Sequence, residues 1–366
     1  MSILTRAITR RDFLKRTATG VGGVVLAKYL GSGTSFAQPT ADMSKVVVVK
    51  HDEATDGVKL INADNVQDMV DESIKQLTDQ PSIADAWASL LPDFRKEHVV
   101  AIKVNCLEPS LPTHPQVVDA VITGLTAAGV PENNIIIYDR TNNELIAAGY
   151  EHNAGDTGVR CFGTDEEGWK TDRNNPTTII GRRTWLSTIL TRCDHLINAP
   201  VLKWHEFGIP TLSLKNHFGS ITSPELLHGD FHSAIPTLNS LGVIRDKTRL
   251  IVTDALFGCW SKNSRPPNFA PNSLIVSRDP VAADTIGGEI LKEARVNNGQ
   301  GNPKNIIYIE KAVEMGLGTC DPEKIDLLEI KMEEFEEEIE EIVEENVGKA
   351  VKPANSYITQ WGRVKQ

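Results

Sequence analysis

The chain has 366 residues, with 38 Lys and Arg against 49 Asp and Glu, and a formal net charge of −11 at pH 7. Its 40% hydrophobic content argues against a disordered chain, and its length corresponds to about two domains or one large α/β domain with insertions. The acidic balance argues against a nucleic-acid partner, and no apolar run reaches the roughly 18 to 20 residues that an integral membrane span needs.

The N-terminal segment differs in charge from the rest of the chain. Six Lys or Arg and one acid give +5 for residues 1–37, which leaves −16 for the remainder. Residues 9–15 read TRRDFLK, a weakly apolar stretch runs from Ala18 to Leu30, and residues 35–37 read SFA. This order is typical of a twin-arginine signal peptide with its cleavage site. It predicts a signal peptide at 1–37, the twin-arginine export machinery as a partner and a periplasmic location. The alternative is a basic amphipathic helix that stays on the protein.

The first regular elements of the remaining chain form a β-α-β pattern. A β-branched run at 98–105 predicts a buried strand, and apolar residues at helical spacing predict a helix over 115–128. Gly129 is placed to end that helix, and residues 134–139 predict the next strand. A unit of this kind predicts two parallel strands with a right-handed crossover.

The same alternation continues along the chain and sets the fold class. Pro280 follows Asp279, which is a typical helix N-cap. Apolar runs and periodicity predict strands at 195–202, 249–254, 273–277 and 325–330, and helices at 280–294 and 305–315. The order predicts an α/β fold, a layered sandwich around a mostly parallel sheet over residues 38–330. The polar stretch 142–183 is interpreted as an insertion or a lobe boundary.

The C-terminal region, 331–366, is predicted to begin with an acidic helix. Residues 333–345 contain nine Glu and no basic residue, and Met332, Phe335, Ile339 and Ile342 fall on one helical stripe. One interpretation is a surface helix docked by this stripe. The other is a segment that binds a protein partner or attracts cations.

Histidines concentrate in one part of the chain. His205, His217, His228 and His232 lie within 28 residues. Histidine is the commonest metal ligand and a proton carrier near neutral pH, so these four are candidate metal ligands. Hydrogen-bonded structural histidines are the alternative, because neither HExxH nor Cys-x-x-Cys spacing is present.

Lysines occur at or near the ends of predicted strands. Lys103, Lys203 and Lys215 suit an anionic ligand such as a carboxylate or a phosphate, and solvated surface lysines are the alternative. Lys203 and His205 follow a strand, at the sheet edge where open α/β sheets bind ligands. We therefore name Lys203, His205 and Lys215 as candidate catalytic residues. Asp254 also ends a strand and is expected to face the same cleft, and Gly219 is expected to allow close approach of a ligand.

The five cysteines are each at least 32 residues from the next. Ferredoxin-type clusters need closely spaced cysteines, so an Fe–S cluster is not expected. Isolated cysteines are most often buried, and Cys106 is a weak candidate nucleophile because it follows a strand end. No GxSxG, P-loop or GxGxxG motif supports a hydrolase, NTPase or dinucleotide-binding function.

Several motifs occur in an order that resembles a known family. They are VAIKVN at 100–105, NAPVLKWH at 198–205, LSLKNHFG at 212–219, IVTDALFG at 251–258 and DPVAAD at 279–284. Together they look like the uncharacterised "domain of unknown function 362" family, over roughly residues 95–320. The resemblance implies these site positions: Lys103, Asn105, Lys203, His205, Lys215, Asn216, Asp254, Asp279 and Asp284. Lys103, Asn105, Asn216 and Asp254 are taken as ligand-binding residues. Some relatives carry a cysteine-rich ferredoxin-like segment, which is absent from this sequence.

A fainter similarity concerns the N-terminal domain of lactate-racemase-like proteins, a family that binds a nickel-pincer nucleotide. It rests on the predicted strand at 98–105, the predicted helix at 115–128 and the run AGVPENN at 128–134, and it is a likeness of fold.

Two functional hypotheses follow. The first is an exported protein with a Lys- and His-lined cleft that binds a metal, a cofactor or a small anionic ligand and catalyses isomerisation or redox chemistry on a small carboxylate. The second is a non-catalytic periplasmic metal-binding, ligand-binding or redox-partner accessory protein. Convergence of Lys103, Lys203, His205, Lys215 and Asp254 in one cleft would favour the first.

Overall fold

A mixed sheet with helices on both faces forms the centre of the fold in the computed structural model. The structure describes residues 6–8 (backbone only), 43–171, 173–205, 209–261, 266–301 and 306–333. Most of the predicted signal peptide and all of the Glu-rich helix except Glu333 lie outside these residues. Among the helices that are described, none is long and apolar enough to span a bilayer.

The described strands are numbered in chain order. They are β1 (Arg6–Ile8), β2 (Ser44–His51), β3 (Val100–Lys103), β4 (Ile135–Tyr138), β5 (Arg160–Cys161), β6 (Thr177–Ile179), β7 (Arg182–Thr184), β8 (His195–Asn198), β9 (Val201–Trp204), β10 (Pro210–Thr211), β11 (Thr248–Cys259), β12 (Ser273–Ser277) and β13 (Ile325–Met332). The main sheet has the order β1-β13-β2-β12-β11-β8-β3-β4-β5, and β9 pairs with both β11 and β10. A separate hairpin contains β6 and β7.

The strand directions confirm a mostly parallel sheet. The run from β5 through β4, β3 and β8 to β11 is parallel, and β13 is parallel to β2. Strand β12 is antiparallel to both of its neighbours, so the sheet is mixed at this point.

The described α-helices cover both faces of the sheet. They are α1 (Ala63–Thr78), α2 (Ile83–Ser89), α3 (Pro115–Ala127), α4 (Asn142–Ala147), α5 (Thr188–Arg192), α6 (Ser213–Asn216), α7 (Phe231–Asn239), α8 (Gly242–Arg245), α9 (Pro280–Asn297) and α10 (Ile307–Glu314). Met69 and Trp87 pack with Ile102 on one face, whereas Ile235 and Tyr308 belong to the core on the other face. The layered α/β sandwich is thereby confirmed.

Local signals explain the best-predicted elements. Helix α3 begins at Pro115 and ends before Gly129, whose φ of 89° is readily adopted only by glycine. Helix α9 is capped by Asp279, whose carboxylate accepts hydrogen bonds from the Val281 and Ala282 amides at 2.8 and 2.9 Å. These observations confirm the expected role of Asp279 as a helix cap.

Two strand predictions need correction. The run 195–202 forms two strands, β8 and β9, with Ala199 and Pro200 between them, because proline has no N–H to donate to a sheet ladder. Strand β11 extends to Cys259, well beyond the predicted end at 254, and pairs along its length with β8 and β9 on one side and β12 on the other.

The polar stretch 142–183 supplies one strand of the main sheet and other elements that lie outside the sheet. It contains α4, strand β5, which pairs in parallel with β4, and the hairpin β6–β7 except for its last residue, Thr184. Its interpretation as an insertion or lobe boundary stays a prediction.

Candidate functional site

A buried ion pair lies at the carboxyl end of strands β3 and β4. Lys103, the last residue of β3, extends its Nζ to 2.7 Å from Oδ1 of Asp139, which directly follows β4. The two side chains are 1% and 4% exposed. Asp139 also accepts hydrogen bonds from the Cys106 and Arg140 amides at 2.6 and 2.9 Å. The charge of Lys103 is therefore balanced inside the protein.

Two asparagines connect this ion pair to a second buried lysine. Asn105 Nδ2 donates to Asn216 Oδ1 at 3.0 Å, and the same oxygen lies 3.4 Å from Lys103 Nζ. Lys203 Nζ donates to Asn105 Oδ1 at 2.7 Å and to the Leu111 carbonyl at 3.3 Å. The four predicted residues Lys103, Asn105, Lys203 and Asn216 thus form one hydrogen-bonded network, which we call the lysine–asparagine network.

The two lysines of the network differ in their charge partners. Among the described residues, the acceptors on Lys203 Nζ are an amide oxygen and a backbone carbonyl, both uncharged. Burial lowers the pKa of Lys203 to about 8, against smaller opposing effects of nearby acidic groups such as Cys106 and Asp139. Lys203 therefore exchanges its proton much closer to neutral pH than an ordinary lysine does.

The short helix α6 brings Asn216 and Lys215 to the sheet, and Asp284 anchors it. Asp284 accepts hydrogen bonds from the Ser213 and Leu214 amides at 2.8 and 3.1 Å. Its carboxyl is fully buried, and burial raises its pKa to about 7 although these hydrogen bonds oppose the change. Asp284 is thus a positioning residue that holds α6.

Asp254 pairs with a histidine that the sequence analysis missed. Oδ2 of Asp254 lies 2.7 Å from His114 Nδ1 and accepts a hydrogen bond from the His114 amide at 2.8 Å. Burial opposes protonation of His114, but the charge and hydrogen bond of Asp254 outweigh it and raise the pKa. His114 is the N-cap residue before Pro115, so its place at the start of α3 was the available signal. Asp254 therefore holds His114 and the start of α3.

This pair adjoins the lysine–asparagine network through the intervening loop. The Thr113 amide donates to the Asn105 carbonyl at 2.9 Å, and Thr113 Oγ1 donates to the Ala199 carbonyl at 2.6 Å. His114 is the next residue, so the predicted Asp254 lies beside the network but is not joined to it directly.

His205 and Lys215 belong to a neighbouring aromatic group. The His205 and His228 rings are stacked with centroids 6.0 Å apart, and the Phe218 ring meets His228 edge-on at 5.7 Å. Lys215 Nζ lies 5.6 Å from the Phe218 ring centre. Burial, followed by the charges of Lys215, His228 and Lys203, lowers the pKa of His205 to about 3. His205 is therefore neutral at physiological pH.

His217 is buried and hydrogen-bonded within the fold, and its role as a metal ligand stays a prediction. Its ring is fully buried, with Nε2 3.3 Å from Asn198 Nδ2 and Nδ1 3.3 Å from Ser220 Oγ. His232 packs against the Phe231 ring at 4.3 Å. In the described part of the chain, no three His, Cys, Asp or Glu residues are placed to hold a metal ion. The four predicted histidines therefore do not form one site there.

Cys106 has an environment that disfavours a nucleophilic role. It is fully buried, and burial together with the charge of Asp139 raises the pKa of its thiol well above the ordinary value. The thiolate is the reactive form of cysteine, so this position suits a packed thiol. All five cysteines are free.

Gly219 lies against the buried ion pair, and this corrects the expectation that it makes room for a ligand. A Cβ at this position would lie 2.6 Å from Asp139 Oδ1 and 2.7 Å from Lys103 Nζ.

We expect Gly219→Ala to lower the free energy of unfolding by about 1–3 kcal/mol, because both charged ends must shift. Urea denaturation measures this. Gly229→Ala, where a Cβ meets nothing within 4 Å, is the control. Equal losses in both variants would contradict the assigned contact.

His217 makes stability depend on pH. Burial lowers its pKa to about 3, from 6.5 in the unfolded chain, so the unfolded state binds the proton first. The contribution of the neutral, buried His217 to the free energy of unfolding is fully present above pH 6.5 and is lost as the pH falls toward 3. Between pH 6.5 and 5 the wild type should lose about 2 kcal/mol more than His217→Asn. Urea denaturation at both pH values tests this, with His152→Asn controlling for loss of a surface histidine. Parallel losses in wild type and His217→Asn would contradict the assignment.

The solved structure of the lactate racemase apoprotein from Thermoanaerobacterium thermosaccharolyticum is similar at 14% identity and a TM-score of 0.33. The likeness covers 72% of this chain and 61% of that one. No curated protein matches the chain. The family model described as Domain of unknown function (DUF362) matches residues 100–289, more than half of the chain and all of the lysine–asparagine network. The chain therefore belongs to the domain of unknown function 362 family.

Proposed function

We propose that this protein binds a small carboxylate at the lysine–asparagine network and that Lys203 carries the proton in an isomerisation of that ligand. The observation that carries the proposal is that two buried lysines share one network and that, among the described residues, Lys103 has a carboxylate partner, Asp139, whereas Lys203 has neutral acceptors. A carboxylate on Lys203 would supply the missing negative charge.

The arrangement of the network supports access from the surface. Lys203 is 4% exposed, whereas Asn105, its hydrogen-bond partner, is partly exposed. A ligand that replaces the Asn105 oxygen on Lys203 Nζ would exchange a neutral acceptor for a charged one, and charge-assisted hydrogen bonds are roughly twice as strong.

Proton transfer is better suited to Lys203 than to His205. A general base or acid works best when its pKa lies near the working pH. The pKa of Lys203 is lowered to about 8, whereas that of His205 is lowered to about 3. This moves the proposed proton-transfer role from His205, the residue favoured by sequence, to Lys203. His205 stays in the neighbouring aromatic group as a neutral imidazole.

The test combines binding and isotope exchange with purified protein. Small carboxylates, including 2-hydroxy acids, are titrated by calorimetry and incubated in D2O, and NMR follows exchange of the C–H proton beside the carboxylate. The proposal expects binding and exchange in the wild type and loss of both in Lys203→Met. Lys170→Met, at an exposed lysine paired with Glu167, is the control. Binding without exchange would leave the non-catalytic alternative, and equal binding by Lys203→Met would overturn the proposed site.

We also propose that the chain is exported by the twin-arginine route. The motif TRRDFLK at 9–15 and the charge difference between residues 1–37 and the rest support this. Replacing Arg10 and Arg11 together by Lys is expected to keep the protein in the cytoplasm, because the two arginines are the recognised feature. Cell fractionation measures the location, and Arg6→Lys, outside the motif, is the control. Unchanged export of the double variant would contradict this route.

A further inference from the structure

A separate cavity of about 120 Å³ lies near the end of β8, beside α7 and α8. Buried polar residues, Asn198, His217 and Asn239, form part of its wall. Arg245 and Arg278 also line it and are exposed, which puts them on the solvent side of the cavity. The cavity therefore has a polar inner end and a cationic opening.

The charge at the opening is not balanced by the cavity walls. Arg278 has no hydrogen-bond or ion-pair partner within the part of the chain that the structure describes, and no carboxylate is among the described lining residues. Burial, then the charge of Arg278, lowers the pKa of Arg249, so these two guanidinium groups repel each other. Arg245 is paired with Asp246 at 2.7 Å at the surface. Arg278 is thus the cation with unused donors.

The inner end of the cavity is held rigidly and is uncharged. Asn198 Nδ2 donates to the Ser213 carbonyl at 2.8 Å, and Asn198 Oδ1 accepts from Asn216 at 2.8 Å. Burial lowers the pKa of His217 to about 3, so its imidazole is neutral at physiological pH. Among the described lining residues, these groups therefore place no negative charge at the inner end.

The size of the cavity limits what it can hold. A volume of about 120 Å³ is well below the roughly 300–1,000 Å³ of pockets that hold a nucleotide or a cofactor. An ion of four or five heavy atoms fits this space. Guanidinium groups bind planar or tetrahedral oxyanions through two parallel N–H donors, which a lone ammonium cannot do.

We propose that this cavity is an oxyanion site, with Arg278 as the principal ligand and Arg245 as the second cation, for an ion of phosphate or sulfate size. It is distinct from the proposed carboxylate site, because Lys203 is not among the lining residues. In the described part of the chain, the hydrogen bond between Asn198 and Asn216 links the two sites.

Calorimetric titration of inorganic phosphate into the full chain, at constant ionic strength held with chloride, tests the proposal. Wild type should show one saturable site, and Arg278→Gln should weaken it roughly tenfold to hundredfold, the usual effect of losing a charged hydrogen-bonding group. Arg245→Gln should weaken it less. Arg95→Gln is the matched control, since Arg95 is an exposed arginine paired with Glu97 as Arg245 is with Asp246.

The variant Lys203→Met separates this proposal from the proposed function. It should keep phosphate binding while losing carboxylate binding, and Arg278→Gln should do the reverse. Phosphate binding that survives in Arg278→Gln but is lost in Lys203→Met would place the anion at the lysine–asparagine network and overturn the cavity site. Absence of saturable phosphate binding by the wild type would overturn it as well. Either result leaves the carboxylate test unaffected.

Discussion

Replacing Lys103 by Met is expected to lower the free energy of unfolding by about 3–5 kcal/mol. The substitution leaves Asp139, whose side chain is 4% exposed, as a buried carboxylate without its cation. The amides of Cys106 and Arg140 still donate to Asp139, but they carry no net charge. Urea denaturation followed by circular dichroism measures the loss.

A double-mutant cycle shows whether this loss comes from the ion pair. Lys103→Met combined with Asp139→Asn should lose less stability than the two single changes added together, because the double variant leaves no unpaired charge. Lys170→Met removes an ion pair of the same length, 2.7 Å, in which the two side chains are 62% and 88% exposed, and should cause no measurable change. Additive losses would show that Lys103 stabilises the fold by packing alone.

Where neighbouring residues decide the structure, the sequence was sufficient to predict it. The β3-α3-β4 unit follows from apolar periodicity and Gly129, and the start of α9 follows from Asp279 before Pro280. The break at Pro200 is also local, but the apolar residues on both sides of it predict one continuous strand. The antiparallel direction of β12 depends on how distant strands pair, for which the chain offers no local signal.

Positions near predicted strand ends group several candidate residues, but they do not reveal the contacts of those residues. Lys103 and Lys203 lie near the ends of β3 and β9, and Asn105 follows β3, as strand-end positions suggested. Asn216 reaches them from the end of helix α6. Asp254 pairs with His114, 140 residues away in sequence, and Lys103 pairs with Asp139, 36 residues away. The spacing of residues in the sequence cannot reveal such pairs. The burial of the His217 ring also could not be predicted, because a cluster of histidines in sequence does not show which rings point inward.

The affinity of the proposed carboxylate site should be greatest below pH 8 and fall about tenfold for each pH unit above it. The charged form of Lys203 binds the anion, and burial lowers the pKa of that ammonium to about 8. An exposed lysine has a pKa of about 10.4, so an affinity that already declines above pH 8 identifies the buried Lys203 as the binding group. Calorimetric titration of the carboxylate from pH 6 to pH 10 measures it.

Two substitutions distinguish charge from proton transfer at Lys203. Lys203→Met should weaken carboxylate binding roughly tenfold to hundredfold at pH 7. Lys203→Arg keeps the cation but does not titrate in this range, so any binding it retains should not decline through pH 8. If Lys203 also accepts a proton from the ligand, the rate of isotope exchange at saturating ligand should rise as the pH passes the pKa of Lys203 in the complex. Over the same pH range, the affinity for the carboxylate should fall. A flat affinity profile in the wild type would remove Lys203 from the site, because a buried ammonium that binds the anion cannot lose its proton without losing the ligand.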